Sequence, residues 1–367
     1  TTSVTNGGDY RDEGFIAARG VMLWTPTDDT DIQFSADYED RDEMPRAAIG
    51  VSKYAFQGSG DPFRGKDQHD VVGAGGTYNS SRTSEEETRE MYGLSLQANH
   101  LINDAWSVFG IVSYRDWETT NLQEEDGTSA QRRYLDTNNI EDSDIFYSEV
   151  RFNYVNQDLN LILGGNYSEE EVFQRTDIGL LTDSYMQFVT ILGGLGGLDD
   201  HIWDIFEGAP DDLFLLLSTA EGIAVLPPSF QGQYFTETMD NTGDFVNWGV
   251  FADATYQLTD TVRLAAGLRY SYDEKEYSWQ TYDNSFDDWP IPPARVNYDP
   301  AETGAPEDQW FDKFTSKDDW NKTTGRLVAD WQFTDYAMTY ASVATGYKSG
   351  GFDGQRFESF VAGSFDP

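Results

Sequence analysis

Apolar and polar residues alternate one for one along several stretches of this chain. Ile32, Phe34, Ala36 and Tyr38 interleave with Gln33, Ser35, Asp37 and Glu39. Val246, Trp248, Val250, Ala252, Ala254 and Tyr256 interleave with Asn247, Gly249, Asp253, Thr255 and Gln257, and Phe251 is the one break. Val262, Leu264, Ala266, Leu268, Tyr270 and Tyr272 stand against Arg263, Gly267, Arg269, Ser271 and Asp273. A period of two sends the two sets to opposite faces of a β-strand, so one face meets an apolar medium and the other meets water.

The pattern predicts about ten strands, near residues 15–24, 31–41, 89–101, 105–117, 144–156, 159–169, 245–257, 261–274, 322–333 and 337–347. Short polar turns at 25–30, 102–105, 156–158, 258–261 and 334–335 join them into hairpins. The connections between hairpins are long, at about 42–88, 119–142, 170–244 and 276–319. A compact soluble domain rarely holds several connections of that length. A transmembrane antiparallel up-and-down β-barrel does, with short turns on one rim and long extracellular loops on the other. At roughly 3.3 Å per residue and a tilt near 40°, strands of roughly 10 to 13 residues rise roughly 25 to 33 Å, the thickness of a bilayer core. The expected fold class is therefore all-β, with residues 1–367 forming one barrel domain. Trp24, Trp106, Tyr256, Trp331, Phe333 and Tyr336 cluster where strands meet the short turns, as membrane-interface aromatics do. A soluble sandwich would bury the same rings, but with shorter strands.

Composition agrees and removes some chemistry. Aromatics make up 15% of the chain, with 34 glycines and no cysteine, a mixture that suits turn-rich β structure and excludes disulfide or thiolate chemistry. The 65 acidic residues against 24 basic ones give a net charge of −41, which excludes nucleic acid as a partner. No apolar run approaches the roughly 18 residues a membrane helix needs, whereas a barrel strand needs only about 9 to 11. The chain opens Thr1-Thr2-Ser3, with no basic and apolar leader.

Tyr340 to Phe352 reads Tyr-Ala-Ser-Val-Ala-Thr-Gly-Tyr-Lys-Ser-Gly-Gly-Phe and resembles the barrel segment typical of TonB-dependent receptors. Its motif residues are Tyr347, Lys348, Ser349, Gly350, Gly351 and Phe352. Gly20 to Asp29 leading into Ser35 to Tyr38, and Tyr256 to Asp260 leading into Ala266 to Lys275, resemble the same family. The resemblance implies a 22-stranded barrel around an N-terminal plug, in the cell outer membrane of a Gram-negative bacterium. It further implies siderophore uptake or another active import of a scarce solute, such as a ferric chelate, energised by the TonB complex through a TonB box. The implied partners are outer-membrane lipid, the TonB complex and the solute, with no enzyme activity and no cofactor. Neither a plug nor a coupling box is recognisable before Gly14, and no terminal aromatic strand precedes Pro367, so the chain reads as a partial barrel. The alternatives are a passive porin-like channel and a secreted β-rich adhesin or glycan-binding protein.

Candidate site residues follow from the two faces. Arg19, Arg115, Arg151, Asp253, Arg263, Arg269, Asp273 and Arg326 fall on the wet, lumen-facing side, where they can pair across strands. By resemblance, Arg263, Arg269, Asp273 and Arg326 are candidates to face the plug. Trp203, Trp279, Trp289 and Trp310 are ligand-loop candidates, and Ile202, Trp203, Ile205 and Phe206 have helical spacing. His69, His100 and His201 lack metal-ligand spacing, runs such as Glu85-Glu86-Glu87 read as solvated charge, and Gly193 to Gly197 completes no phosphate-binding pattern.

Overall fold

A computed structural model describes residues 14–45, 86–125, 135–181, 233–282, 313–352 and 364–367. Ten strands run β1 Phe15–Thr27, β2 Thr30–Glu43, β3 Glu86–Leu101, β4 Trp106–Glu124, β5 Leu135–Val155, β6 Leu159–Leu181, β7 Tyr234–Thr259, β8 Val262–Thr281, β9 Phe314–Thr334 and β10 Ala337–Ala344. They form one antiparallel sheet in sequence order, each strand paired with its chain neighbours. A small separate pair, β11 Gly351–Phe352 and β12 Ser364–Phe365, completes the described residues. The ten expected strands and the alternation of short and long connections are thus present. The long-loop candidates Trp203, Trp289 and Trp310, the helical stretch at Ile202 to Phe206, His69, His201 and Gly193 to Gly197 lie outside the described residues.

Polar caps fix the short turns. Asn103 accepts the backbone N–H groups of Ala105 and Trp106 at 2.9 and 3.0 Å, and Asn156 accepts those of Asp158 and Leu159 at 2.9 and 2.7 Å. Asparagine side chains of this kind imitate a backbone turn and satisfy donors the ladder leaves open.

Several strands run further toward the long-loop rim than expected. β5 begins at Leu135 rather than near 144, β6 reaches Leu181 rather than 169, and β7 begins at Tyr234 rather than near 245. The long connections are correspondingly shorter. The reason is physical: beyond the apolar band both faces are wet, so Glu169-Glu170-Glu171 shows no alternation while its backbone pairing continues. Trp279 is corrected by the same extension. It is not a loop residue but part of β8, only 1% exposed, clustered with Met239 and flanked by Tyr277 and Phe314.

β10 departs in the other direction, ending at Ala344 rather than 347. The Thr345 N–H donates to the Gly325 carbonyl at 2.9 Å, and the Thr345 hydroxyl accepts the Gly325 N–H at 2.9 Å. After that clip the family-like segment leaves the ladder. Tyr347 turns toward Asp273, Lys275 donates to the Gly350 carbonyl at 2.9 Å, and Phe352 stacks near Tyr277 at 6.0 Å. A Cβ on Gly350 would overlap the Trp320 ring, so only glycine lets the backbone lie there.

Register assigns the faces, because directly paired residues share one. Phe34, Leu96, Val112, Val250 and Leu268 point outward and are exposed. On the short-turn rim Trp106 and Tyr154 pair at 4.9 Å and Trp331 and Phe333 at 5.4 Å. A second outward belt crosses the other end of the apolar band. Tyr38 meets Tyr92 at 5.2 Å, Phe146 meets Tyr167 at 6.2 Å, and Trp248 meets Tyr270 and Tyr272 at 5.6 Å each. From Trp248 to Tyr256 a tilted strand rises about 20 Å, close to the apolar band of a membrane barrel. The tyrosine hydroxyls of this belt reach outward to carboxylates, Tyr167 to Glu169 at 2.9 Å and Tyr272 to Glu274 at 3.1 Å.

Candidate functional site on the inner wall

The inward-facing residues of β5 to β9 build a polar wall from strands far apart in sequence. Arg263 on β8 pairs with Asp330 on β9 at 2.8 Å. Arg326 on β9 donates two N–H groups to Asp253 on β7, at 2.8 and 2.9 Å, across the glycine that separates them. That glycine is Gly267, paired with Asp253 on one side and Arg326 on the other, and a Cβ there would run into both partners. Register puts Arg19, Arg151, Arg263, Arg269, Asp273 and Arg326 on the sheet face opposite Phe34, Val250 and Leu268, and all but Asp273 and Arg269 sit in ion pairs.

Arg269 is held differently. Its Nε donates to the Ser271 hydroxyl at 2.9 Å, its Nη2 donates to the Asn166 side-chain oxygen at 2.7 Å, and its guanidinium lies 5.6 Å from the Phe251 ring centre. Phe251, the residue that breaks the alternation of β7, therefore faces inward as a platform for this cation. A Cβ on Gly249 would sit 2.6 Å from Nη2 and 3.0 Å from Cζ, so the guanidinium lies flat over that glycine. Asp273 accepts an N–H from Asn247 at 2.8 Å, and Asn166 donates to Asn247 at 3.3 Å, which links the two strands beside it. Asn166, Gly249, Phe251 and Ser271 were missed as site residues by sequence reasoning; the break at Phe251 was the one signal pointing to them.

A cavity of about 520 Å³ opens on this wall, lined by Glu149, Arg151, Phe251, Asp253, Arg269 and Arg326. A larger depression, about 590 Å³, lies on the outward face among Leu96, Val112, Val150 and Trp248. Its apolar lining, level with the band between the aromatic belts, fits acyl chains rather than a polar ligand.

Beyond the outer belt stands a third cluster. Arg175 forks onto Asp240 with two bonds of 2.7 Å, Tyr282 donates to the same carboxylate at 2.6 Å, and the Arg175 guanidinium lies 5.7 Å from the Tyr282 ring centre. Burial raises the Asp240 carboxyl, but the bonds from Arg175 and Tyr282 and the adjacent positive charge outweigh it and hold the group below its ordinary pKa. The Asp240 bond raises Arg175 in turn. Among the histidines, His100 bonds to Thr30 at 2.9 Å, and no group of three or more potential metal ligands gathers among the described residues.

Residues 23–367 match the family model described as TonB dependent receptor-like, beta-barrel. No curated protein matches this chain. Among solved structures, the ferric yersiniabactin uptake receptor FyuA of Yersinia pestis superposes with a TM-score of 0.59 at 15% identity, over 100% of this chain and 43% of that one. The ferric-catecholate import receptor Fiu of E. coli K12, in its open form, gives 0.50 at 12% identity over 90% of this chain and 46% of its own. The siderophore receptor PiuA of Acinetobacter baumannii gives 0.50 at 14% identity, over 90% and 41%. The chain thus spans less than half the length of these receptors, and identities this low speak for the fold alone.

Proposed function

The chain belongs to the TonB-dependent receptor-like β-barrel family of the Gram-negative outer membrane, and from that premise we propose that it forms the wall of an active importer for a scarce extracellular solute. The observation that carries the reading is the two-sided sheet. Its outer side is apolar between two aromatic belts, and its inner side is polar and internally paired. Such a sheet is stable only where lipid touches one face and an aqueous or protein-filled interior touches the other.

β1 and β10 each have one neighbour among the described residues. Hydrocarbon cannot satisfy a free strand edge, so the working barrel includes further strands that close the sheet. The short-turn rim faces the periplasm and the long connections face outward. A plug fills the lumen against Arg263, Arg269, Asp273 and Arg326, the TonB complex energises it, and a ferric chelate is the solute class. The ferric substrates named for FyuA and Fiu support that choice of class. The wall positions and selects, and carries out no reaction on its cargo.

The test is uptake. Cells lacking the gene should lose accumulation of radio-iron from one member of a panel of ferric chelates, and cells lacking TonB should lose it equally. Uptake that continues undiminished without TonB would overturn active import in favour of passive diffusion.

A further inference from the structure

We infer that the hollow over Gly110, Ser148 and Gly165, on the lipid-facing side of the sheet, seats one acyl chain of lipopolysaccharide, and that the Ser148 hydroxyl donates to the carbonyl joining that chain to its headgroup. This goes beyond the import reading and shares with it only the placing of the long-loop rim in the outer leaflet. The hollow lies on β4 to β7, each paired with a strand on both sides, and faces away from the lumen. Two glycines make it. A glycine inside a strand weakens the strand, and it marks a bulge or the close approach of something else. Neither Gly110 nor Gly165 stands at a bulge, since the ladders on both sides of each run without a register shift, and neither has the positive φ that calls for glycine. Packing does not require glycine at 110 either, because a Cβ there would meet nothing nearer than the Glu149 carbonyl at 3.9 Å. The room at Gly110 is therefore left toward the outside, where hydrocarbon is the neighbour. Gly165 stands in the same cross-strand row, joined to Gly110 through Val150, and the two open one hollow of about 590 Å³.

The walls of the hollow are preformed. Trp248 stacks on Tyr272 at 5.6 Å and Tyr167 lies against Phe146 at 6.2 Å, so an entering chain has little of the protein to order. Ser148 stands at the upper end, paired with Val112 on one side and Tyr167 on the other, at the height of the outer aromatic belt. Its hydroxyl has no hydrogen-bond partner among the described residues, and a hydroxyl left bare against hydrocarbon is costly. The ester or amide carbonyl at the base of a lipid headgroup lies at that level and accepts the bond. The occupant is the lipid of the outer leaflet, lipopolysaccharide, because the hollow sits under the belt on the long-loop side. Further toward the rim Asp116, Asp144, Glu171 and Asp244 face outward in one row. The divalent cations that accompany the phosphates of lipopolysaccharide suit that row, since such ions take carboxylate and phosphate oxygens together.

The experiment uses the full-length receptor in detergent with magnesium present, titrated with lipopolysaccharide or, for comparison, phosphatidylethanolamine. Binding is read from the rise in unfolding temperature with lipid concentration, followed by heat-modifiable gel mobility. Lipopolysaccharide should stabilise the wild type more than phosphatidylethanolamine does. Gly110→Leu fills the hollow with a side chain that lipid tolerates; it should weaken lipopolysaccharide binding about tenfold or more without lowering the unfolding temperature of the lipid-free protein. Gly110→Ala should weaken it less, and Ser148→Ala about fivefold. Ala36→Leu, which adds the same bulk to the lipid face outside the hollow, should leave it unchanged. The inference is overturned if the two lipids act alike, if Gly110→Leu keeps the wild-type response, if Ala36→Leu loses it, or if the hollow proves to hold a second copy of the chain, seen as a dimer that Gly110→Leu splits. Neither TonB nor a solute enters the assay, so its failure is separable from a failure of TonB-dependent uptake in cells.

Discussion

Leu268 offers the sharpest test of which face meets lipid. It points outward from β8, is 61% exposed, and lies four residues from Leu264, which pairs with belt residue Tyr256, and four from Tyr272, which pairs with Trp248. It therefore sits midway between the two belts, about 10 Å from each along a tilted strand. If that face met water, Leu268→Arg would be a surface substitution and would change stability by no more than about 0.5 kcal/mol. If it meets acyl chains, the guanidinium enters the bilayer midplane and costs about 2–4 kcal/mol. Val262 on the same strand supplies the depth control, since it pairs with belt residue Trp331 and its replacement by arginine should cost only about 0–1 kcal/mol. Folding equilibria of the full receptor in lipid vesicles, titrated with urea and read by heat-modifiable gel mobility, measure both. Equal costs at the two positions would refute the assignment of faces and with it the transporter.

Other perturbations test separate parts of the reasoning. Glu171→Gln removes the middle member of a directly opposed row, Asp144, Glu171 and Asp244, and should raise stability by a few tenths to about 1 kcal/mol at low salt, a gain that fades near 1 M salt. Asp240 is held below its ordinary pKa, so its contribution is fully present above the unfolded value near 4 and is lost as pH falls through the lower folded value. Amide exchange at the outer ends of β6 and β7 should accelerate in that acidic window, and Asp240→Asn should remove the pH step. Gly350→Ala should cost about 1–3 kcal/mol because the new methyl overlaps Trp320, while Gly20→Ala, with nothing within 4 Å of its Cβ, should be neutral or mildly stabilising. Urea midpoints compare the two.

The parts of the fold legible in the sequence are those where lipid imposes a rule. Between the belts every second residue must be apolar, so Val246 to Tyr256 and Val262 to Tyr272 declare both their strands and their faces. Past Tyr167 the rule lapses, and the outer third of β6 is invisible although its ladder with β7 runs unbroken to Leu181. The wall shows the same division. Parity alone puts Arg263, Arg269 and Arg326 on the wet side, but not which of them is neutralised. Arg326 reaches Asp253 over Gly267, two strands and 73 residues away, a relation that exists only once register is set. The turn inward at Thr345 was hidden for a related reason. The alternating stretch from Tyr340 reads as continuing strand, and the clip that ends it comes from Gly325 on the neighbouring strand.

A net charge of −41 and a place in hydrocarbon look incompatible until charge is sorted by height. Outward from the second belt, Asp116, Asp144, Glu171, Asp244 and Glu276 stand directly opposite one another across five strands, and the row ends at Lys317, which bonds Glu274 at 2.7 Å. Two charges about 5 Å apart repel by about 1 kcal/mol in water, and salt reduces that further. One pleat inward, each of the same carboxylates would enter the apolar band and cost about as much as several such contacts together. The tyrosine belt marks the boundary: its rings face lipid while Tyr167 and Tyr272 donate to Glu169 and Glu274, two residues further toward the long-loop rim on the same face. Where a carboxylate stands relative to that belt therefore decides its cost far more than how many there are. A strongly acidic chain can form a membrane wall because, on its lipid-facing side, the acids begin where the aromatic rings end.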